Sequence, residues 1–141
     1  MRFMVIMYPG PAAETGVLPD EKLLAEMGKF NEEMVKAGVL LAGEGLHPTS
    51  KGARIRFPKG GKPVVSDGPF AEAKEIVGGF WMIQVKNREE AIEWMRRCPA
   101  SGGEMIELRQ VFESEEFAPS DPTGELRAQE QRLREQVAAK K

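Results

Sequence analysis

The sequence predicts an α+β domain built β-α-β-hairpin-β-α-β, and three features carry that prediction. Strand-length apolar runs alternate with two longer segments whose apolar residues recur every three or four positions. A glycine- and proline-rich stretch from residue 43 to 79 interrupts the alternation in its middle. The two runs expected at the centre of the sheet, 3–8 and 79–85, are apolar at successive positions, the mark of strands covered on both faces. A chain of 141 residues accommodates one well-cored domain of this kind and not two.

The first strand is Phe3-Met4-Val5-Ile6-Met7-Tyr8, stopped by Pro9-Gly10-Pro11. Pro19 suits a first helical position, Asp20 and Glu21 suit the positive end of a helix dipole, and Leu23, Met27, Phe30 and Met34 form one apolar stripe. Gly38 can take the left-handed conformation that closes a helix, after which Val39-Leu40-Leu41-Ala42 resumes as strand. Arg54-Ile55-Arg56-Phe57 and Pro63-Val64-Val65 flank the turn residues Pro58-Lys59-Gly60-Gly61 and read as an inserted β-hairpin. The third main strand runs from Gly79 to Val85. Asn87-Arg88-Glu89-Glu90 then has the form of a capping box opening a second helix, with Ala91, Ile92, Met95 and Cys98 on its apolar face. The last strand, Met105 to Phe112, alternates Ile106, Leu108 and Phe112 against Glu107 and Arg109.

The domain therefore takes residues 1–113, and residues 114–141 form a charged extension. Pro119 and Pro122 are expected to break regular structure at its start. A helix from Gly124 onward carries Leu126, Leu133 and Val137 as its only large apolar residues.

The element order is that of a ferredoxin-like sheet, with both helices on one face and the first and third main strands central. Phe3, Val5 and Met7 point one way and Met4, Ile6 and Tyr8 the other; Phe80 and Met82 oppose Trp81, Ile83 and Val85. Two helices cover one of these faces. Left in water, the second would be an apolar patch larger than soluble monomers carry, so a homodimer is the expected cover, against the simpler reading in which the hairpin and the extension fold over it.

Composition narrows the partners. Twenty Lys and Arg against 22 Asp and Glu give a net charge of -2, which offers no general attraction for nucleic acid or an anionic membrane. No apolar run approaches the ~20 residues of a membrane span. The single cysteine and the lack of a charged-then-apolar opening make a reducing cytoplasm the expected compartment. One His and one Cys argue against a zinc or iron–sulfur site, and Lys59-Gly60-Gly61-Lys62 lacks the spacing of a phosphate-binding loop. No bound metal and no cofactor are expected.

The densest local signal is Asp67-Gly68-Pro69-Phe70, followed by Ala71, Glu72, Lys74, Glu75 and then Gly78-Gly79-Phe80. Pro69 favours an extended Gly68 and is pre-set to begin a helical turn, whose exposed amides the Asp67 carboxylate can cap. The same carboxylate, presented beside an apolar sheet face, can act as a base or hold a ligand. This string, with Leu40-Leu41-Ala42-Gly43-Glu44-Gly45-Leu46 and the segment from Ala91 to Pro99, resembles the DGPF branch of the YCII-related family over about residues 1–112. The resemblance implies a dimeric α+β barrel, two ferredoxin-like sheets face to face, with a ligand cavity near the motif. It also implies a His-Asp active-site pair in the YCII-like branch, and for some members a link with extracytoplasmic-function sigma factors. That branch carries its histidine in the first helix, where this sequence has none; its one histidine is His47, in Gly45-Leu46-His47-Pro48.

His47 with Asp67 is a workable general base near neutral pH, and the bland reading of His47 is a solvated loop residue. Glu44, between two glycines, has room beside it for a ligand or serves as an ordinary edge-strand carboxylate. Lys74 can hold an anion or simply be solvated. Tyr8, Phe70 and Trp81 can line an apolar pocket, though aromatic residues in such strands more often belong to the core. Two functions compete: a cofactor-independent small-molecule enzyme using Asp67 and His47 for proton transfer in the cavity, and a non-catalytic ligand-binding or regulatory protein of the same architecture. Whether Asp67 faces a pocket or caps its own turn discriminates them.

Overall fold

A computed structural model describes residues 1–10, 14–70 and 75–140. Their contacts divide them into two compact units, Met1–Gln110 and Val111–Lys141. In the first, β1 (Arg2–Tyr8), β2 (Leu40–Gly45), β5 (Gly79–Gln84) and β6 (Met105–Gln110) form a four-stranded sheet in the order β2-β5-β1-β6. Every neighbouring pair is antiparallel. β1 and β5 are therefore central, and β1 and β2, joined through α1 (Glu21–Lys36), run parallel without touching. β3 (Ala53–Arg56) and β4 (Val64–Asp67) pair antiparallel in a separate two-stranded ribbon, with Arg54 opposite Ser66 and Ile55 opposite Val65.

Local chemistry explains the helix ends. Asp20 caps α1, its carboxylate accepting from the Leu23 N–H at 2.8 Å. At the other end Gly38 sits at φ +72°; its N–H reaches the Val35 carbonyl and the Val39 N–H the Met34 carbonyl. That pair of bonds is a Schellman motif, and buried Val39 adds its apolar contact. For α2 (Arg88–Met95), Asn87 accepts from the Glu90 N–H, while the Glu90 carboxylate reaches back to the Lys86 N–H, each at 2.8 Å.

The core lies between the sheet and the two helices. Phe3 and Val5 of β1, Trp81 and Ile83 of β5, Phe30 and Met34 of α1, and Ala91 and Met95 of α2 are buried together. Ile106 and Leu108 of β6 join them at the edge. On the opposite face the register aligns Met4 with Met82 and Ile6 with Phe80, flanked by Glu44 on one edge strand and by Glu107 and Arg109 on the other. All four of the central apolar residues are only half-buried. The two helices lie against one face of the sheet.

The second unit departs from its expected irregular start. Ser114–Ser120, Pro119 included, is a 3-10 helix opened by a reciprocal Glu113–Glu116 capping box. A helix without the full α hydrogen-bond ladder tolerates a proline near its end, so Pro119 is not a breaker here. Buried Asp121 then holds the first turn of α3 (Glu125–Ala139): its carboxylate accepts from the Leu126 and Arg127 N–H groups and from Arg127 Nε at 3.0–3.2 Å. Leu126, Leu133 and Val137 stay exposed along α3.

Candidate functional site

Four strand ends meet at one end of the sheet: β1 finishes at Tyr8, β2 at Gly45, and β5 and β6 begin at Gly79 and Met105. The Gly78 N–H bonds the Met7 carbonyl at 2.8 Å and the Leu46 N–H the Gly78 carbonyl at 2.9 Å, so the pairing extends just past the strands. Beyond β2 come exposed His47, then Pro48 and a single 3-10 turn, Thr49–Lys51, that leads into the ribbon. The Asp67-Gly68-Pro69-Phe70 turn leaves the ribbon's other strand, and its Gly68–Pro69 peptide is cis.

That turn is docked on Thr49. The Gly68 N–H donates to the Gly52 carbonyl at 3.0 Å, and the Phe70 N–H donates to Thr49 Oγ1 at 3.1 Å. A Cβ built on Gly68 would stand 1.7 Å from the Thr49 carbonyl oxygen, so only glycine permits this approach. Thr49 is held in turn by Glu14, whose carboxylate accepts from the Thr49 N–H at 3.0 Å and from its hydroxyl at 2.5 Å. These two bonds hold the Glu14 carboxyl below its usual range, the hydroxyl contact acting more strongly than the amide. Glu14, Thr49 and Phe70 thus tie the segments that follow β1, β2 and β4 into one assembly. Arg54 completes it, its guanidinium 3.9 Å from the centre of the Phe70 ring.

At the Phe70 amide Thr49, not Asp67, is the acceptor; the next amides of the turn, from residue 71, lie outside the described residues. The exposed Asp67 carboxylate has no hydrogen-bond or ion-pair partner among the described residues. In the ribbon Asp67 pairs with Ala53 and shares the alternate positions of Ile55 and Val65, so it stands on the ribbon's apolar face. His47 is likewise exposed. It lies two residues before Thr49, whose carbonyl abuts Gly68.

Tyr8 and Glu44 stand on the sheet face opposite the helices, and Tyr8 Oη reaches Glu107 Oε1 at 3.5 Å. Phe70 is half-buried beneath Arg54. Trp81 is on the other side. Its indole lies in the helix-covered core, edge-on to Phe30 with Nε1 donating to Asn31 Oδ1 at 2.9 Å, so it serves packing and the pocket-lining assignment is withdrawn. Lys74 lies outside the described residues. Glu14 and Thr49 went unnoticed in the sequence because they are 35 positions apart and each is an ordinary loop residue alone.

Among the described residues no three carboxylate, imidazole or thiol groups converge as a cation site. No helix among them is long and apolar enough to cross a membrane. Cys98, half-buried against α2, has its thiol pushed up to about 11 by burial and by the nearby Glu104 charge. Shallow hollows run along single helices, one lined by Leu133 and Val137 and another by Trp94 and Arg97.

The fold and the docked turn define an α+β domain whose distinguishing local structure is a carboxylate presented beside an apolar surface. The chain matches the YCII-related domain over residues 1–115 and belongs to that family. It is also similar to an uncharacterized protein of Rhizobium meliloti (strain 1021), with 35% identity over 77 residues; the match covers 55% of this chain and 61% of the relative. The chain thus spans less than two thirds of that relative's length.

Proposed function

We propose that this protein is a member of the DGPF branch that binds a small, largely apolar molecule at the Asp67 turn and uses Asp67 to accept a proton from it. His47 is the second proton-handling group, and Tyr8, Glu44 and Phe70 contribute the walls. The observation that carries this reading is that, among the described residues, the Asp67 carboxylate has no hydrogen-bond or ion-pair partner. The Phe70 amide it could cap bonds Thr49 instead, and Gly68 is docked against the Thr49 backbone. A carboxylate so placed is suited to a ligand or a proton.

The sheet face opposite the helices completes the site. A second copy laid on Met4, Ile6, Phe80 and Met82 makes the enclosed, water-poor space that a lone sheet lacks, in the manner of two sheets packed face to face. At ~25 cal/mol per Å2, several hundred Å2 of apolar surface per copy is worth several kcal/mol before association entropy is charged against it. The chemistry this arrangement supports is abstraction of a proton from a carbon or hydroxyl next to a carbonyl, with no cofactor.

The test is an amide-resolved NMR screen with small aromatic ketones and carboxylates, with exchange of the ketones' α-hydrogens followed in deuterium oxide. Shifts at Ser66, Phe70 and Thr49 with protein-dependent exchange, both lost in Asp67→Asn, support the reading. Binding at those residues with no exchange reduces it to a binding site, and shifts that ignore Asp67→Asn overturn it.

A further inference from the structure

Two stretches of this chain each carry one sign of charge. From Ser50 to Ser66 there are five cations, Lys51, Arg54, Arg56, Lys59 and Lys62, and no acid; from residue 111 to 125 there are five acids and no Lys or Arg. In a molecule of net charge -2, both depart sharply from the mixed-sign surface of its helices, where Lys36 pairs with Glu32 and Arg134 with Glu130. None of the five cations makes an ion pair with a described carboxylate.

Both stretches also expose large apolar side chains. On the ribbon Ile55, Phe57 and Val65 are 56%, 77% and 65% exposed. In the acidic stretch Phe112 and Phe117 stack with ring centres 5.1 Å apart and remain 67% and 48% exposed. A two-stranded ribbon with water on both faces is marginal by itself, and the like charges of its cations add to that. Asp121 is already held by Arg127, and Glu113 and Glu116 share a capping box, so Glu115 and Glu125, both exposed, are the acids offered to the ribbon's cations.

We propose that residues 111–125 of one copy dock on the β3–β4 ribbon of a second copy, acids against cations around a small aromatic centre. The topology favours a contact between molecules. The ribbon leaves the sheet after β2, at one edge, while Gln110 ends β6 at the opposite edge, with β5 and β1 between them. Two copies related by a two-fold axis make the contact twice, which a chance acidic partner would not. Because Asp67 ends β4, docking here steadies the strand that presents the carboxylate. The inference rests on self-association, as proposed above, and adds to it a salt-sensitive contact distinct from the apolar sheet face.

The experiment is sedimentation equilibrium of the full chain at about 50 and about 500 mM NaCl, where screening lengths differ several-fold. The variants are Arg56→Glu/Lys59→Glu, Glu115→Lys/Glu125→Lys, and the two pairs combined. Each pair alone is expected to raise the dimer Kd about tenfold at low salt, the combination to restore it to within about threefold, and high salt to remove the differences. Should the reversed ribbon fail to fold by circular dichroism, Arg56→Gln/Lys59→Gln replaces it. A dimer indifferent to both reversals overturns this contact and leaves the sheet-face dimer standing, whereas a chain that stays monomeric removes both. Reversals that lower thermal stability at unchanged Kd assign the contact to a single chain and also overturn the inference.

Discussion

Gly68 and Thr49 approach so closely that a methyl group on the former would lie 1.7 Å from the carbonyl oxygen of the latter and 2.6 Å from its carbonyl carbon. The obstacle is backbone, so it cannot swing away as a flexible side chain does. Gly68→Ala is therefore expected to lift the Asp67 turn off the Thr49 turn and to destabilise the domain by about 2–3 kcal/mol, the range of an overpacked site. Urea unfolding measures the loss. A two-state midpoint within error of the parent refutes the docking geometry.

Glu14 and Thr49 make a second, pH-dependent prediction. Thr49→Val removes the acceptor for the half-buried Phe70 amide and the donor to Glu14, at about 1–2 kcal/mol for unmet hydrogen-bonding groups; Thr49→Ser keeps both and should retain most of the stability. The Glu14 carboxyl is held below its ordinary value by Thr49, so the folded state favours its ionised form. Its contribution is present above the unfolded-state value near 4.5 and disappears as pH falls through the lowered folded value. In Glu14→Gln that acid-side component should be missing from a plot of stability against pH. An unchanged acid limb in that variant sinks the assignment.

The sheet order was legible because periodicity decides it: Phe3 and Val5 alternate with Met4 and Ile6, and Met27, Phe30 and Met34 mark one side of α1. Strand parity also placed Trp81 with Ile83 and Val85, and the structure puts all three in the core. The site was half-legible. Asp67 is marked by its turn residues, but the acceptor that Thr49 offers the Phe70 amide cannot be seen in local spacing. No periodic signal joins Glu14 to Thr49, because they meet through two irregular segments that only tertiary packing brings together. Pro119 was read as a breaker by a rule made for α-helices, and the segment there is a 3-10 helix.

Gly43 faces Trp81 across the β2–β5 pair, and a Cβ there would meet the indole Cδ1 at 2.9 Å and Nε1 at 3.5 Å. The ring has little freedom to yield, since Asn31 holds its nitrogen and Phe30 packs perpendicular to it with ring centres 6.1 Å apart. Gly43→Ala should therefore cost about 1–3 kcal/mol and blue- or red-shift the Trp81 emission as the indole is displaced. In the background of Asn31→Ala, where the ring is released from its partner, the penalty should shrink. Equal penalties in both backgrounds count against a pinned indole.

Cys98 supplies the last test. With its thiol pushed up to about 11, only about one molecule in a thousand carries the thiolate at pH 8, whereas an unperturbed cysteine is about one quarter ionised there. Alkylation by iodoacetamide should accordingly run about two orders of magnitude slower than for a free thiol, and its rate should keep climbing tenfold per pH unit through pH 10. The sign for stability is the reverse of that for Glu14: the folded state retains a proton that the unfolded state gives up, so this contribution is full below about 8.5 and is lost as pH rises toward 11. Cys98→Ala should flatten the alkaline limb of the stability profile. A reaction rate that levels off near pH 9 shows the thiol to be unperturbed and removes Glu104 and burial as its controls.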